Sequence, residues 1–421
     1  MNFKINATKY VSSLTISFIG SESFKFASSI YIYRITGDIW LVSLLYLLIQ
    51  LPSMFVYFVS PWLVKKFKND RLALFLRDMT SLVSLVLPIV LFFTVDKYSF
   101  SMSLIGISTF LGLVHSFRFI YLKNIIFFIS KNNEEMKKYN TFSSLATSLG
   151  VTISLFFSYF LYNKLEFFWL IVFNMLTYII SGFLYFSLKT SKESAIFHKS
   201  EFNKKTNLKK HKILSWIYIL AGSAIIGFFT FPKTQGLTQI FDFMKNDYNV
   251  ETWGFYISLI FSVFGILGTI ITLMLLKTKR LKTKKTLVEY SLCAIILLSL
   301  ILVIVFFANS KNEVMFFTFV SIVSLHQLLF SIFLSYFYSN SYEMFDQKSF
   351  HKQNGYSIVF RVVLSSILFV LFTLSSKQLD YRYTFVFYAA LLLLFTSLII
   401  ISTFLRRRYK KVETEQKKEI I

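Results

Sequence analysis

The sequence contains a single cysteine, Cys293, and it lies inside an apolar run. One cysteine excludes a disulfide framework, and no spacing of cysteine and histidine typical of a metal site occurs. Proline and glycine are scarce, with 4 and 13 residues among 421, so residues that loosen helices are few. No Gly-rich loop followed by Lys and Ser or Thr is present, which argues against direct use of ATP by this chain.

Apolar residues dominate instead: 55% of the chain is hydrophobic and 19% is aromatic. This composition predicts a membrane protein with several spans. The net charge of +24 is compatible with a nucleic-acid-binding protein, but the basic residues fall in short clusters between apolar runs and not on one folded face. We therefore predict a lipid bilayer as the surrounding partner and no nucleic acid.

The apolar residues group into twelve runs, each close to or above the roughly 20 residues that a helix needs to cross a bilayer. They predict an all-α polytopic protein with twelve transmembrane helices. The runs cover approximately residues 10–33, 39–63, 72–94, 100–129, 141–162, 167–188, 214–240, 253–276, 286–308, 314–340, 355–375 and 383–405.

The connections differ in their content of lysine and arginine. When alternate connections are assigned to alternate sides, one side holds 32 of these residues and the other holds 8. Cytoplasmic loops carry the excess of Lys and Arg, so both termini are predicted to be cytoplasmic in a bacterial plasma membrane. The remaining five lie inside the runs and are Lys25, Arg77, Arg118, Lys123 and Arg361.

A long basic connection over residues 189–213 divides the chain, and we interpret it as a solvated cytoplasmic linker. It separates a predicted N-terminal six-helix bundle, 1–188, from a predicted C-terminal bundle, 214–405, followed by a basic tail, 406–421. The segments around Trp40 and Trp253 also resemble each other, with an acidic turn before the Trp and a basic turn after the span. Two six-helix repeats are the plan of one large transporter fold.

Five short motifs carry a resemblance to a known family. They are YRITG (33–37), SPWLVKKFKNDR (60–71), Asp78, NNEEMKKYNTFSSL (132–145) and FFTFPKTQGL (228–237). With the twelve spans they make the sequence similar to the major facilitator superfamily, in particular to its macrolide-efflux-like branch of drug:proton antiporters. The resemblance implies two six-helix bundles and secondary active transport. The loop after span two departs from the family pattern, because Pro61 stands near the expected Gly and Lys65 replaces the expected Asp.

Ionisable residues inside the spans are the main candidates for function, because charge in hydrocarbon is costly. Glu22 and Lys25 are three residues apart, so they share a helix face and can contact each other. In the family that the sequence resembles, helices one, four, seven and ten line the central cavity. The substrate or proton-coupling candidates on these helices are Glu22, Lys25, His115, Arg118, Gln235, His326 and Gln327.

Each candidate also has a structural interpretation. Glu22 and Lys25 would then be a self-neutralising pair, and Arg118 a fixed partner of Glu22. His115 and His326 would be packed or hydrogen-bonded without carrying protons. Three further residues, Asp78, Lys65 and Arg71, are candidates for conformational gating; Asp78, next to Arg77, is expected to brace the loop between spans two and three.

These features predict proton-coupled export of a small amphiphilic compound or drug by a monomer, with alternating access between two bundles. Glu22 is the predicted proton-titrating group, since an apolar setting favours its neutral form and a nearby cation favours its charged form. Two alternatives remain: export of a small peptide or signalling molecule, and a sensor or scaffold that does not transport. Neither an enzyme, a cofactor nor a bound metal is predicted.

Overall fold

The computed structural model describes residues 3–67, 69–164, 166–190, 209–233, 236–237, 239–240, 250–277, 286–308, 313–344, 347–378 and 380–419. Within these ranges every regular element is helical. The helices are α1 (Phe3–Thr36), α2 (Ile39–Gln50), α3 (Ser53–Lys66), α4 (Asp70–Ser84), α5 (Val86–Thr94), α6 (Lys97–Ile129), α7 (Asn133–Lys164), α8 (Phe167–Phe186), α9 (Lys209–Phe228), α10 (Val250–Lys277), α11 (Leu287–Ala308), α12 (Glu313–Met344), α13 (Gln347–Gln378) and α14 (Tyr381–Glu419).

The predicted fold class is confirmed, because the twelve apolar runs fall on long helices in order along the chain. Eleven stretches of the described residues are long and apolar enough to cross a membrane. The helix outside this set is α1, which is 34 residues long but carries many serines together with Glu22 and Lys25. It ends at Gly37, whose φ of 66° suits glycine and whose N–H donates to the Tyr33 carbonyl.

Two predicted spans are each broken into a pair of helices. The run at 39–63 divides at Leu51–Pro52 into α2 and α3, and the run at 72–94 divides at Leu85 into α4 and α5. Pro52 immediately precedes α3, and Pro88 lies in the first turn of α5. Proline lacks the amide N–H that a continuous helix needs, so a helix readily restarts at such a position.

The seventh predicted span, 214–240, also differs from the expectation. Its helix, α9, ends at Phe228, and a single 3₁₀ turn follows at Phe231–Lys233. Pro232 stands in this turn and cannot continue the helical hydrogen bonding. Lys233 is the last residue of this turn.

The helices assemble into an N-terminal and a C-terminal group. In the first, α1 packs against α7 and α8, while α4 packs against α6 and α8. In the second, α12 packs against α10 and α11, while α9 packs against α13 and α14. The two groups meet where α3 contacts α13 and where α7 contacts α10 and α12.

Aromatic rings hold much of the C-terminal group together. Phe229, directly after α9, stacks on Phe330 of α12 with ring centroids 3.7 Å apart and planes 5° apart. Phe231 stacks on Phe372 of α13 at 4.1 Å. Such pairs stabilise by burial of a large apolar area and by ring–ring attraction.

The contact between α3 and α13 is very close at Gly355. A Cβ at this position would lie 2.6 Å from Ser60 Oγ and 2.8 Å from the Tyr57 carbonyl oxygen. A small apolar cluster surrounds the contact and includes Val56 of α3 and Ile358 of α13. The two halves are thus in close contact at the middle of α3.

We predict that Gly355→Val separates the halves at this contact, because its side chain overlaps backbone and not only a mobile side-chain end. Gly106→Val is the matched control, since a Cβ there meets no atom within 4 Å. Spin labels on α3 and α13 would report the change by electron resonance. An unchanged distance in Gly355→Val, relative to the wild type and Gly106→Val, would contradict the prediction.

Candidate functional site

Glu22 and Lys25 form an ion pair on one face of α1. The Glu22 side chain is 24% exposed and the Lys25 side chain 29%, so both remain partly exposed although they lie well inside a long helix. Tyr46 of α2 interacts electrostatically with both groups, and its hydroxyl donates a hydrogen bond to Ser29 Oγ at 3.3 Å. The contact that the spacing of Glu22 and Lys25 permits is therefore made.

A third charged group reaches this pair from the other half of the protein. Lys233, in the 3₁₀ turn after α9, interacts electrostatically with Glu22 and with Lys25. Glu22 and Lys25 are thus within electrostatic range of a cation of the C-terminal half. The sequence signal for this arrangement was Pro232, which lies in the 3₁₀ turn directly before Lys233.

A second charged group of residues is buried inside the N-terminal half. Arg77 and Asp78 of α4 form an ion pair whose side chains are 3% and 0% exposed. Ser181 of α8 donates a hydrogen bond to Asp78 Oδ2 at 2.6 Å. Asp78 therefore joins α4 to α8 inside the half, and it is not placed at the loop that we expected it to brace.

Arg118 of α6 is 1% exposed and belongs to this same buried group. Its Nη1 donates to Ser17 Oγ of α1 at 2.6 Å, and Arg77 Nη1 donates to the same oxygen at 3.2 Å. The Arg118 guanidinium also lies 4.2 Å from the centre of the Phe18 ring. The structure thus brings Arg118 to Ser17 and Phe18, and not into an ion pair with Glu22.

The two candidate histidines face the interior of their own halves. His115 Nε2 lies 2.7 Å from the Tyr178 hydroxyl of α8. His326 is 1% exposed, and its Nε2 lies 3.2 Å from Ser299 Oγ of α11. Both partners sit on helices distant in sequence, so the spacing of residues gave no indication of them.

Of the two glutamine candidates, Gln327 lies within the described residues. Gln327 lies on α12 and faces Gly265 of α10. A Cβ atom added to Gly265 would lie 3.5 Å from the Gln327 side chain. Gln235 lies outside the described residues. Among the residues that the structure describes, no cluster of three His, Cys, Asp or Glu side chains suited to a metal ion is found.

The gating candidates Lys65 and Arg71 flank the connection between α3 and α4. Lys65 is exposed at the end of α3, whereas Arg71 Nη1 donates to the Leu188 carbonyl just after α8 at 2.8 Å. Their neighbour Asp70 was not among the predicted residues, yet it is 5% exposed and accepts hydrogen bonds from Asn124 of α6 at 2.8 and 2.9 Å. This end of α4 is fixed to both α6 and α8.

The order and packing of these helices correspond to a known family. The family model described as Major Facilitator Superfamily matches residues 10–347 of the chain. The chain belongs to the major facilitator superfamily. It is accordingly a multi-pass membrane protein and a secondary transporter, and the family indicates a transporter and not an enzyme. No curated protein sequence matches the chain.

Solved structures of transporters share this facilitator fold. The chain is similar to a bacterial homologue of the iron transporter ferroportin in an outward-facing state (TM-score 0.72, 13% identity, 96% of this chain and 100% of that one). It is also similar to the proton:xylose symporter XylE (0.74, 9%, 94% and 95%). A third is the human organic anion transporter MFSD10 (0.67, 9%, 95% and 100%). At these identities the likeness shows the fold alone.

We predict that Asp78→Asn lowers the stability of this transporter by about 3–5 kcal/mol, because it leaves Arg77 buried without a carboxylate. The melting temperature in detergent measures the change. Ser181→Ala is the control, and its loss of one hydrogen bond to Asp78 should cost only about 1–2 kcal/mol. Equal melting temperatures for Asp78→Asn and the wild type would show that the ion pair is dispensable.

Proposed function

We propose that this facilitator couples the export of a small amphiphilic compound to proton entry, as in drug:proton antiporters of the macrolide-efflux-like branch. In this proposal the protein works as a monomer in a bacterial plasma membrane, with both termini in the cytoplasm. The observation that carries the proposal is the Glu22–Lys25 pair, which is partly exposed and interacts with Lys233 of the other half.

The electrostatic interaction of Glu22 with Lys233 suggests a physical route to coupling. Glu22 and Lys25 are on α1 and move with the N-terminal half, whereas Lys233 moves with the C-terminal half. Rocking of one half against the other changes the separation of Glu22 and Lys233, and a nearby cation favours the ionised form of a carboxylate. The affinity of Glu22 for a proton then depends on the conformational state, which is the requirement for proton coupling.

The surroundings of the pair suit a molecule with both apolar and polar parts. Phe119 of α6 is 37% exposed and packs edge-on against Phe18 of α1, with ring centroids 6.0 Å apart. Phe18 is one helical turn from Glu22 on the same helix. An apolar body against the Phe119 ring places a polar or charged group of the substrate near Glu22, where it competes with the proton.

We predict that Glu22→Gln abolishes the pH dependence of transport, because glutamine keeps the shape of the side chain but cannot take up a proton. Efflux of a fluorescent amphiphile from proteoliposomes, measured with and without an imposed pH gradient, is the assay. We expect at least a tenfold loss of gradient-driven efflux, while exchange of substrate without a gradient continues.

The matched control is Glu134→Gln on α7, which removes a carboxylate that also pairs with a lysine, Lys138, four residues away. That side chain is 47% exposed and lies far along the chain from α1, so its variant should behave as the wild type. Gradient-driven efflux by Glu22→Gln at the rate of Glu134→Gln would rule out Glu22 as the coupling residue.

The proposed orientation is tested by thiol labelling in a Cys293→Ser background. Lys97, the first residue of α6, is exposed. Arg408, in the C-terminal part of α14, is also exposed. A membrane-impermeant maleimide should label Lys97→Cys in intact cells but label Arg408→Cys only after permeabilisation. The reverse pattern would mean that the termini face outward.

A further inference from the structure

Two arginine side chains converge on one serine hydroxyl in the N-terminal half. Arg118 Nη1 and Arg77 Nη1 both donate to Ser17 Oγ, at 2.6 and 3.2 Å. The three residues come from α6, α4 and α1, and all are at least 95% buried. Like charges repel strongly away from water, so a neutral hydroxyl is a poor link between two guanidinium groups.

The charges of this group do not balance. Asp78 is the only carboxylate in the described part of the chain that contacts either guanidinium, and it pairs with Arg77. Arg118 is left with a hydroxyl and the faces of two rings, Phe18 at 4.2 Å and Phe119 at 5.5 Å. Ring faces attract a cation only weakly compared with a carboxylate. One positive charge therefore has no counterion.

The unsatisfied hydrogen-bonding atoms in this region include several nitrogen donors beside hydroxyl groups such as that of Tyr185. Arg77 Nε and Nη2, Arg118 Nε and Asn174 Nδ2 are buried without a hydrogen-bond acceptor. Asn174 lies on α8 one turn from Tyr178, whose ring is 5.3 Å from the Arg77 guanidinium. A buried donor without an acceptor costs about 1–3 kcal/mol, and more when it is charged. A negatively charged acceptor supplies both the missing counterion of Arg118 and the missing hydrogen-bond acceptor.

One of the two rings beside the Arg118 guanidinium is partly exposed. Phe18 is 4% exposed, but Phe119 is 37% exposed. Phe119 is therefore the ring beside Arg118 that has room to change its rotamer. Exposed aromatic side chains change rotamer within nanoseconds.

We propose that Arg77, Ser17 and Arg118 form a binding site for a small anionic group, either a halide ion or the carboxylate of an organic molecule. The anion accepts hydrogen bonds from the two guanidinium groups and supplies the missing negative charge. The site uses residues other than Glu22 and Lys25, and anion binding to it is measured without a pH gradient or transport.

The proposal is tested most directly by a variant with a carboxylate side chain at position 17. Ser17→Asp places a carboxylate at the oxygen that both arginines contact, whereas Ser17→Asn is a matched neutral change. The proposal predicts that Ser17→Asp melts at a higher temperature than the wild type without added ligand and no longer responds to anions. Ser17→Asn should keep the response.

The response is measured as the melting temperature of purified protein in detergent, with sodium gluconate keeping the ionic strength constant. Sodium chloride and sodium benzoate are the two probes, and benzamide is the neutral counterpart of benzoate. At ten times its dissociation constant, a bound anion should raise the melting temperature by about 1–3 °C. Arg118→Gln should weaken the binding at least tenfold, whereas Arg407→Gln, on the surface of α14, should leave it unchanged.

The two probes identify the source of the anion. A response to chloride alone assigns the site to a free inorganic ion, and a response to benzoate alone assigns it to the carboxylate of an organic molecule; a response to both supports the common anion chemistry. The proposal fails if neither probe acts, if benzamide acts as strongly as benzoate, or if the response persists in Ser17→Asp. Glu22→Gln should keep the response, so failure of proton coupling and failure of this site are distinguishable.

Discussion

Positive charge inside an apolar helix bundle must meet an acceptor, and this requirement organises the N-terminal half. Arg77 and Arg118 enter the interior from α4 and α6, and Ser17 of α1 accepts a hydrogen bond from each. Asp78 extends the group to α8 through Ser181. Four helices are thereby joined by directional bonds between deeply buried groups, where a lost bond is expensive.

The Glu22–Lys25 pair belongs to a different physical setting. Its two charges lie on one helix and neutralise each other, yet both side chains remain partly exposed and interact with Lys233 of the other half. The Arg77–Asp78 pair is enclosed by its surroundings, with side chains only 3% and 0% exposed. The N-terminal half therefore contains one deeply buried ion pair and one partly exposed ion pair.

The sequence predicted the long helices well because hydrocarbon thickness imposes a length that apolar runs reveal directly. It also predicted the Glu22–Lys25 contact, since that contact is local to one helix turn. Pro52, Pro88 and Pro232 lie at or near the breaks in the predicted spans. The apolar runs continue across these prolines, so the breaks were not predicted. The partners of Arg118, His115 and His326 lie 101, 63 and 27 residues away, and no local pattern encodes such pairings.

The ring stacks of the C-terminal half have a mechanical consequence. A hydrogen bond weakens steeply as its angle departs from linearity, whereas two stacked rings, such as Phe229 on Phe330, keep most of their dispersion attraction when they slide. The contact between Phe229 and Phe330 therefore tolerates a small sliding movement of the segments that carry these rings, whereas the hydrogen bond from Ser181 to Asp78 does not.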